Sequence, residues 1–191
     1  QYALLNGDKK TGVTTFFMDN KIDNGKIILQ KEFKINDNDN YESLIRKVES
    51  HGSDLVIKTI DNITKNAKYQ QQDKSNISYA PKIQKEMLLI NCFENSNTNH
   101  NKVRAFSPTP GAFVKINNKR LKILKTRKTS IRSLKEDISK IFIKKNKVFI
   151  GCSENLLELL EVQFEGKKKM NALSWARGQI IGSKGIRLNE S

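Results

Sequence analysis

The sequence has little of the residue types that build several common kinds of functional centre. Its 191 residues include two cysteines, two histidines, three prolines and one tryptophan, and only 7% are aromatic. Cys92 and Cys152 are far apart in sequence and form no C-x-x-C pair, and neither His51 nor His100 has a ligand-like neighbour four residues on. A metal centre or a disulfide framework is therefore not expected, and no metal is assigned. Cysteine usage of this kind fits a reducing, cytoplasmic compartment. No apolar run approaches the roughly 18 residues that a membrane span requires. Neither a transmembrane segment nor a signal peptide is read, and no membrane partner is expected.

Positive charge, by contrast, is abundant: 35 Lys and Arg against 20 Asp and Glu give a formal net charge of +15. Heavy use of Lys, Asn and Ile is also what AT-rich coding produces whatever the function. The distribution of charge separates the two explanations. Residues 1–75 carry 12 basic and 11 acidic side chains, net +1, whereas residues 76–191 carry 23 and 9, net +14. Coding bias acts on both parts alike, so the second part reads as a surface suited to phosphates.

The hydrophobic pattern divides at the same place. Val13 to Met18 is dense in β-branched and aromatic residues and predicts a buried strand, followed by the turn-forming run Asp19 to Gly25 and a second strand from Ile27 to Phe33. Asp39 and Glu42 have capping-box spacing ahead of Leu44, Ile45, Val48, Leu55, Val56, Ile60 and Ile63, which recur at helical period. Gly52 is placed to bend or split that helix. Residues 67–82 are polar and Gln/Ser/Asn-rich, as in a linker. Beyond them short strands are expected at 112–116, 120–125, 138–143, 148–152 and 157–164, a pattern for a small antiparallel barrel or sandwich, with short helices at 97–105 and 171–177. Two strands and one helix leave a sheet face and an edge uncovered, so residues 1–65 read as the end of a domain whose beginning is missing.

Candidate chemistry is sparse. Asp23 and Asp19 both lie in the loop between the first two strands, where a fixed carboxylate can accept a proton; the plain alternative is that both stabilise the turn. Lys167, Lys168 and Lys169 form a basic turn, and Lys122, Lys125, Arg127 and Lys128 follow one strand and its exit. Together with the net charge of the region they favour RNA contact over an idle charge run. Few aromatics accompany them, so backbone and shape recognition is expected rather than base reading, with Trp175 packing a helix.

These residues carry a family resemblance. Gly7-Asp8-Lys9-Lys10-Thr11-Gly12-Val13-Thr14, Met18-Asp19 and Ile22-Asp23-Asn24-Gly25 resemble the G-D-x-x-T-G-V-T…M-D-x-x-(L/I)-D-x-G signature of the methionyl-tRNA formyltransferase family. Tyr79-Ala80-Pro81-Lys82-Ile83, Arg104-Ala105-Phe106, Pro108-Thr109-Pro110-Gly111-Ala112, Leu121-Lys122-Ile123 and Gly166-Lys167-Lys168-Lys169-Met170 are similar to later motifs in the same order. The chain departs from the pattern at Thr109, where Pro-Trp-Pro is common, and at Asn91-Cys92, where an Asp-Trp pair is common.

The resemblance implies an α/β fold, the partial Rossmann-like formyltransferase domain over 1–65, then a linker over 66–85 and an all-β, OB-like basic barrel over 86–191. It implies transfer of the formyl group of 10-formyltetrahydrofolate, the donor substrate, to the amino group of methionyl initiator tRNA. Asp23 falls at the catalytic Asp, and Arg104, Lys122, Lys125, Lys167, Lys168 and Lys169 are the expected tRNA contacts. The family's N-x-H motif and S-L-L-P folate loop do not occur in these residues, so no folate-binding residue is assigned, the chain reads as a C-terminal fragment, and these residues alone are expected to be inactive. Two other readings compete: a sugar-nucleotide formyltransferase, which has no need of the basic charge, and a non-catalytic RNA-binding barrel.

Overall fold

The computed structural model describes residues 1–65, 69–73, 75, 77–179, 181 and 184–189. Two units divide the chain, Asp8–Lys82 and the pair of segments Gln1–Gly7 with Ile83–Ser191. The first helix, α1 (Tyr2–Asn6), therefore belongs with the later residues, although the charge and hydrophobic pattern had grouped it with residues 1–65. Five residues are too few to show an amphipathic period. They pack against the later helix Ser96–Phe106, with Leu4 fully buried.

The Asp8–Lys82 unit is a hairpin covered by a helix. Strands β1 (Lys10–Phe16) and β2 (Ile27–Lys34) pair antiparallel, with Thr14 opposite Gln30 and Phe16 opposite Ile27. The expected strand from Val13 to Met18 thus starts earlier and stops at Phe16, because the Phe17 N–H turns to the Lys26 carbonyl at 3.0 Å and closes the loop. Met18 lies in that loop and is 92% exposed rather than buried. Helix α2 (Tyr41–Thr64) runs unbroken through Gly52. It buries Leu44, Leu55 and Thr59, a helical spacing that covers the hairpin. The Thr59 and Thr15 hydroxyls share a hydrogen bond at 2.8 Å across that contact.

The cap of α2 sits one residue later than the spacing of Asp39 and Glu42 suggests. Asn40 is the N-cap: its Oδ1 accepts from the Ser43 N–H at 2.9 Å, and Ser43 Oγ accepts from the Asn40 N–H at 3.0 Å. Asp39 has a different task. Burial by itself would raise its carboxyl, but Lys47, the Asn36 N–H and the Ser43 hydroxyl together hold it below the ordinary carboxylate value.

The other unit is built on one antiparallel sheet. Helix α3 (Ser96–Phe106) leads through Pro108 and Pro110, both preceded by cis peptide bonds, to β3 (Ala112–Ile116) and the long β4 (Lys119–Arg132). There follow β5 (Lys140–Lys144), β6 (Lys147–Gly151), β7 (Asn155–Phe164), β8 (Met170–Asn171), helix α4 (Ala172–Gly178) and β9 (Ile186–Arg187). The strand order is β3-β4-β7-β6-β5-β9, with β8 paired to β7. Asn117-Asn118 and Lys145-Asn146 all have positive φ, between 48° and 62°, the geometry of tight hairpin turns that match strand twist. The strands β8 and β9, each two residues long, escaped the sequence pattern. Leu121, Ile123, Ile141, Ile150, Leu157 and Val162 form the centre of the core, each fully buried.

A bulge in β4 decides which side chains leave that core. Burial falls on Leu121 and Ile123, then shifts to Leu124 and Thr126, and the pairing with β7 slips between Ile123 and Lys125. An extra residue of this kind moves the following side chains to the opposite face. Lys122, Lys125 and Arg127 consequently all point away from the core, which strict alternation would forbid.

Because Leu4 is fully buried and α1 lies against α3, Leu4→Ala is expected to destabilise the unit of residues 1–7 and 83–191 by about 2–5 kcal/mol. Denaturant titration followed by Trp175 fluorescence reports on that unit, and an unchanged midpoint would show that α1 is not part of its core.

Candidate functional site

The loop from Phe17 to Lys26 is closed by a contact that only glycine permits. A Cβ at Gly25 would lie 1.5 Å from the Phe17 carbonyl oxygen, so the third position of the D-x-G motif is a steric requirement of the turn. The two acidic residues of the loop then part company. Asp19 is used internally, its Oδ1 accepting from the Lys21 N–H and its Oδ2 from Asn24 Nδ2, both at 2.8 Å. Asp23 sits at φ 51°, in the left-handed region where Asp is tolerated better than most residues. Its side chain is exposed and makes no hydrogen bond or ion pair with the described residues. Of the two carboxylates, which loop position alone leaves equal, Asp19 is hydrogen-bonded within the turn and Asp23 makes no such bond.

A residue that the sequence pattern did not single out completes the loop. Gln72 Nε2 donates to the carbonyl oxygens of Asp23, at 2.9 Å, and Gly25, at 2.7 Å. It lies inside the span expected to be a linker, of which residues 66–68, 74 and 76 fall outside the described residues. The signal was absent because these contacts join positions 47 and 49 apart in sequence, and local composition carries no trace of them.

The basic side chains gather on the outer face of β3, β4 and β7. Lys115 pairs with Arg120 and Phe113 with Lys122 across β3 and β4, while Lys122 faces Gln163 on β7. The Arg120 guanidinium lies 5.0 Å from the centre of the Phe113 ring, a cation–π contact that steadies it. Lys115, Asn118, Arg120, Lys122, Gln163 and Gly166 line an open groove of about 680 Å³. Its one acid is Glu165, which accepts the Arg120 backbone N–H at 2.9 Å. Lys115 and Arg120 are groove members that charge-run reasoning missed. Their signal was hairpin register, since residues flanking a two-residue Asn-Asn turn stand opposite one another.

The expected contacts separate into groups. Lys122 lines the groove, and Lys167 and Lys168 continue from its Gly166 edge with no ion pair to the described residues. Lys169 pairs with Glu161 at 3.2 Å, and both remain solvent-accessible. Lys125 is exposed on β4. Arg104 stands apart on α3, half-buried, its Nη2 donating to Asn101 Oδ1 at 2.8 Å. Arg127 is directed to the buried Glu158, which it shares with Lys147, at 3.3 and 3.7 Å.

The remaining reactive residue types are structural. His100 Nδ1 and Thr126 Oγ1 are 2.8 Å apart in the interior, and the His51 ring packs on Phe33 with centroids 4.6 Å apart. No group of three potential metal ligands occurs among the described residues. Cys92 and Cys152 are free and buried. Burial raises the Cys92 thiol to about 11, against a weaker opposite effect of Ser139. Cys152 rises to about 12, from burial first and then from the neighbouring Cys92. The fold thus brings into mutual influence two cysteines that are 60 positions apart in sequence.

The family described as "Formyl transferase" matches residues 1–60, and "Formyl transferase, C-terminal domain" matches residues 82–179. The chain belongs to the formyl transferase family. Among its relatives, the methionyl-tRNA formyltransferase of Thermodesulfovibrio yellowstonii is 39% identical over 95% of this chain and 58% of its own length. The methionyl-tRNA formyltransferase of Syntrophomonas wolfei is 35% identical over 96% of this chain and 61% of its own length. The chain therefore spans about three-fifths of the curated relatives it matches. A solved structure of WlaRD, a sugar 3N-formyl transferase in the presence of dTDP and 5-N-formyl-THF, is similar with TM-score 0.65 and 26% identity, over 87% of this chain and 59% of that one.

Neither thiol is ionised at neutral pH when pKa values reach about 11 and 12. Alkylation of the native protein at pH 8 is expected to run at least about 10²-fold slower than that of the denatured chain and to accelerate only as pH approaches 11. Mass spectrometry of iodoacetamide-treated samples checks this, and rapid native modification of either residue would contradict it.

Proposed function

We propose that this chain serves a methionyl-tRNA formyltransferase, moving the formyl group of 10-formyltetrahydrofolate to the α-amino group of methionyl initiator tRNA in the cytoplasm. The observation that carries the reading is the 31–39% identity to curated methionyl-tRNA formyltransferases over nearly the whole chain. It is supported by an unengaged carboxylate at the D-x-G position.

In this reading Asp23 is the proton acceptor. An amine attacking a formyl carbon must lose a proton as the tetrahedral intermediate forms, and an exposed, fixed carboxylate can take it directly or through one water. Asp19, Gly25 and Gln72 hold the loop that presents it. Stabilisation of the developing oxyanion is a separate requirement. The N-x-H motif that supplies it in the family is not among these 191 residues, nor is the S-L-L-P folate loop. The donor pocket is accordingly assigned to no residue of this chain.

The basic sheet is the tRNA-holding part, in an OB-like barrel, with residues 66–85 joining it to the catalytic part. Lys115, Arg120 and Lys122 in the groove, with Lys125, Lys167, Lys168 and Lys169 around it and Arg104 beyond, set cations along a surface that a phosphate backbone can follow. Hydrogen-bonding Asn118 and Gln163 suit ribose and phosphate oxygens, and the shortage of exposed aromatics suits shape recognition over base stacking.

The competing reading, formyl transfer to an amino sugar nucleotide, shares the loop but not the need for net +14 over residues 76–191. The full-length natural protein, given 10-formyltetrahydrofolate with either methionyl initiator tRNA or a dTDP-amino sugar, is expected to formylate the tRNA with at least about 10³-fold higher kcat/KM. Preference for the sugar nucleotide would transfer the chain to the other activity, and transfer to neither would leave only an RNA-binding role.

A further inference from the structure

The segment after α2 carries no recognised motif, yet it is fastened to the hairpin. Ile27 and Gln70 exchange backbone hydrogen bonds of 2.8 and 3.1 Å. The Tyr69 ring meets Phe17 edge-on with centroids 4.8 Å apart. Together these contacts extend the sheet edge by a short stretch and deliver Gln72 to the turn. Its carboxamide NH2 has two hydrogens, and both are spent, one on the Asp23 carbonyl and one on the Gly25 carbonyl.

The two carbonyls belong to the peptides that join Asp23 to Asn24 and Gly25 to Lys26, so Gln72 fixes the orientation of both planes. The first belongs to a residue at φ 51°, a left-handed conformation that Asp tolerates but that most L-residues avoid. With those carbonyls released, the Asp23 backbone could leave its left-handed conformation and carry the carboxylate with it, since that side chain makes no bond to the described residues that would restrain it.

We propose that Gln72 is a positioning residue for formyl transfer: by bridging the Asp23 and Gly25 carbonyls it holds the left-handed turn and so aims the Asp23 carboxylate at the acceptor amine. This rests on Asp23 being the proton acceptor. Gln72 itself need not touch the reacting atoms, and its contribution is to the rate of the chemical step rather than to tRNA affinity. The side chain must donate twice and must have the reach of Gln. Glutamate has the size but presents carboxylate oxygens to two carbonyl oxygens, and methionine has the length without donors.

The test uses the full-length natural protein with Gln72→Glu and Gln72→Met. Both variants are expected to lower kcat by about 10- to 100-fold while KM for methionyl initiator tRNA stays within about twofold. Amide hydrogen exchange across residues 20–26 is expected to accelerate by about tenfold, with the melting temperature little changed. Wild-type kcat in Gln72→Met, or unchanged exchange in that loop, would overturn the proposal. A fall in kcat matched by a rise in KM and a lower melting temperature would also overturn it, by showing a merely structural role. If the wild-type protein transfers no formyl group, the Asp23 reading falls and the positioning role with it; the wild-type rate alone distinguishes that failure from a failure of Gln72.

Discussion

The approach of Gly25 to the Phe17 carbonyl is the contact on which the rest of the loop depends. With a Cβ only 1.5 Å from that oxygen, any other residue would force the chain apart. Once the loop closes there, the Phe17 N–H can reach the Lys26 carbonyl, Asp19 can bond Lys21 and Asn24, and Asp23 is left facing solvent. A motif written as D-x-G thus has two separable meanings. Its glycine meets a steric requirement, whereas its aspartate makes no side-chain bond that the turn needs.

The basic unit depends on a comparable local irregularity. In a regular strand Lys122 and Lys125 would lie on opposite faces, and one of them would be driven into the core. The bulge between Ile123 and Lys125 prevents this and leaves both on the outer side, while Leu121, Ile123, Leu124 and Thr126 remain inside. Charge and burial are reconciled by the slips in pairing on either side of Lys125. The adjoining hairpin adds Lys115 and Arg120 by register, and the Phe113 ring gives Arg120 an apolar support in place of a carboxylate.

Local pattern made much of this legible. The hairpin, the helix from 41 to 64 and most strands of the basic unit follow from period and turn chemistry. What escaped depends on contacts between distant residues. Gln72 lies in a polar stretch whose composition is that of a linker, and only its bonds to Asp23 and Gly25 reveal its use. Helix α1 is too short to show a face. The α2 cap fell one residue late because Asp39 and Asn40 both have cap-forming side chains, and the Asn36 N–H and Lys47 recruit the first of them elsewhere. The D-x-G resemblance singles out Asp23 over Asp19; what the sequence could not show is the hydrogen bonding that engages Asp19 with Lys21 and Asn24 and leaves the Asp23 side chain without a bond to the described residues.

In the proposed function this loop divides structural and chemical labour between those two acids. Single-turnover formyl transfer by the full-length natural protein, measured for Asp19→Asn and Asp23→Asn beside thermal unfolding of each, tests it most directly. Asp23→Asn is expected to lower the transfer rate by about 10²–10⁴-fold with unfolding unchanged, whereas Asp19→Asn is expected mainly to lower the unfolding temperature. A near-wild-type rate for Asp23→Asn, or a stable Asp19→Asn protein that has lost the chemical step, would contradict it.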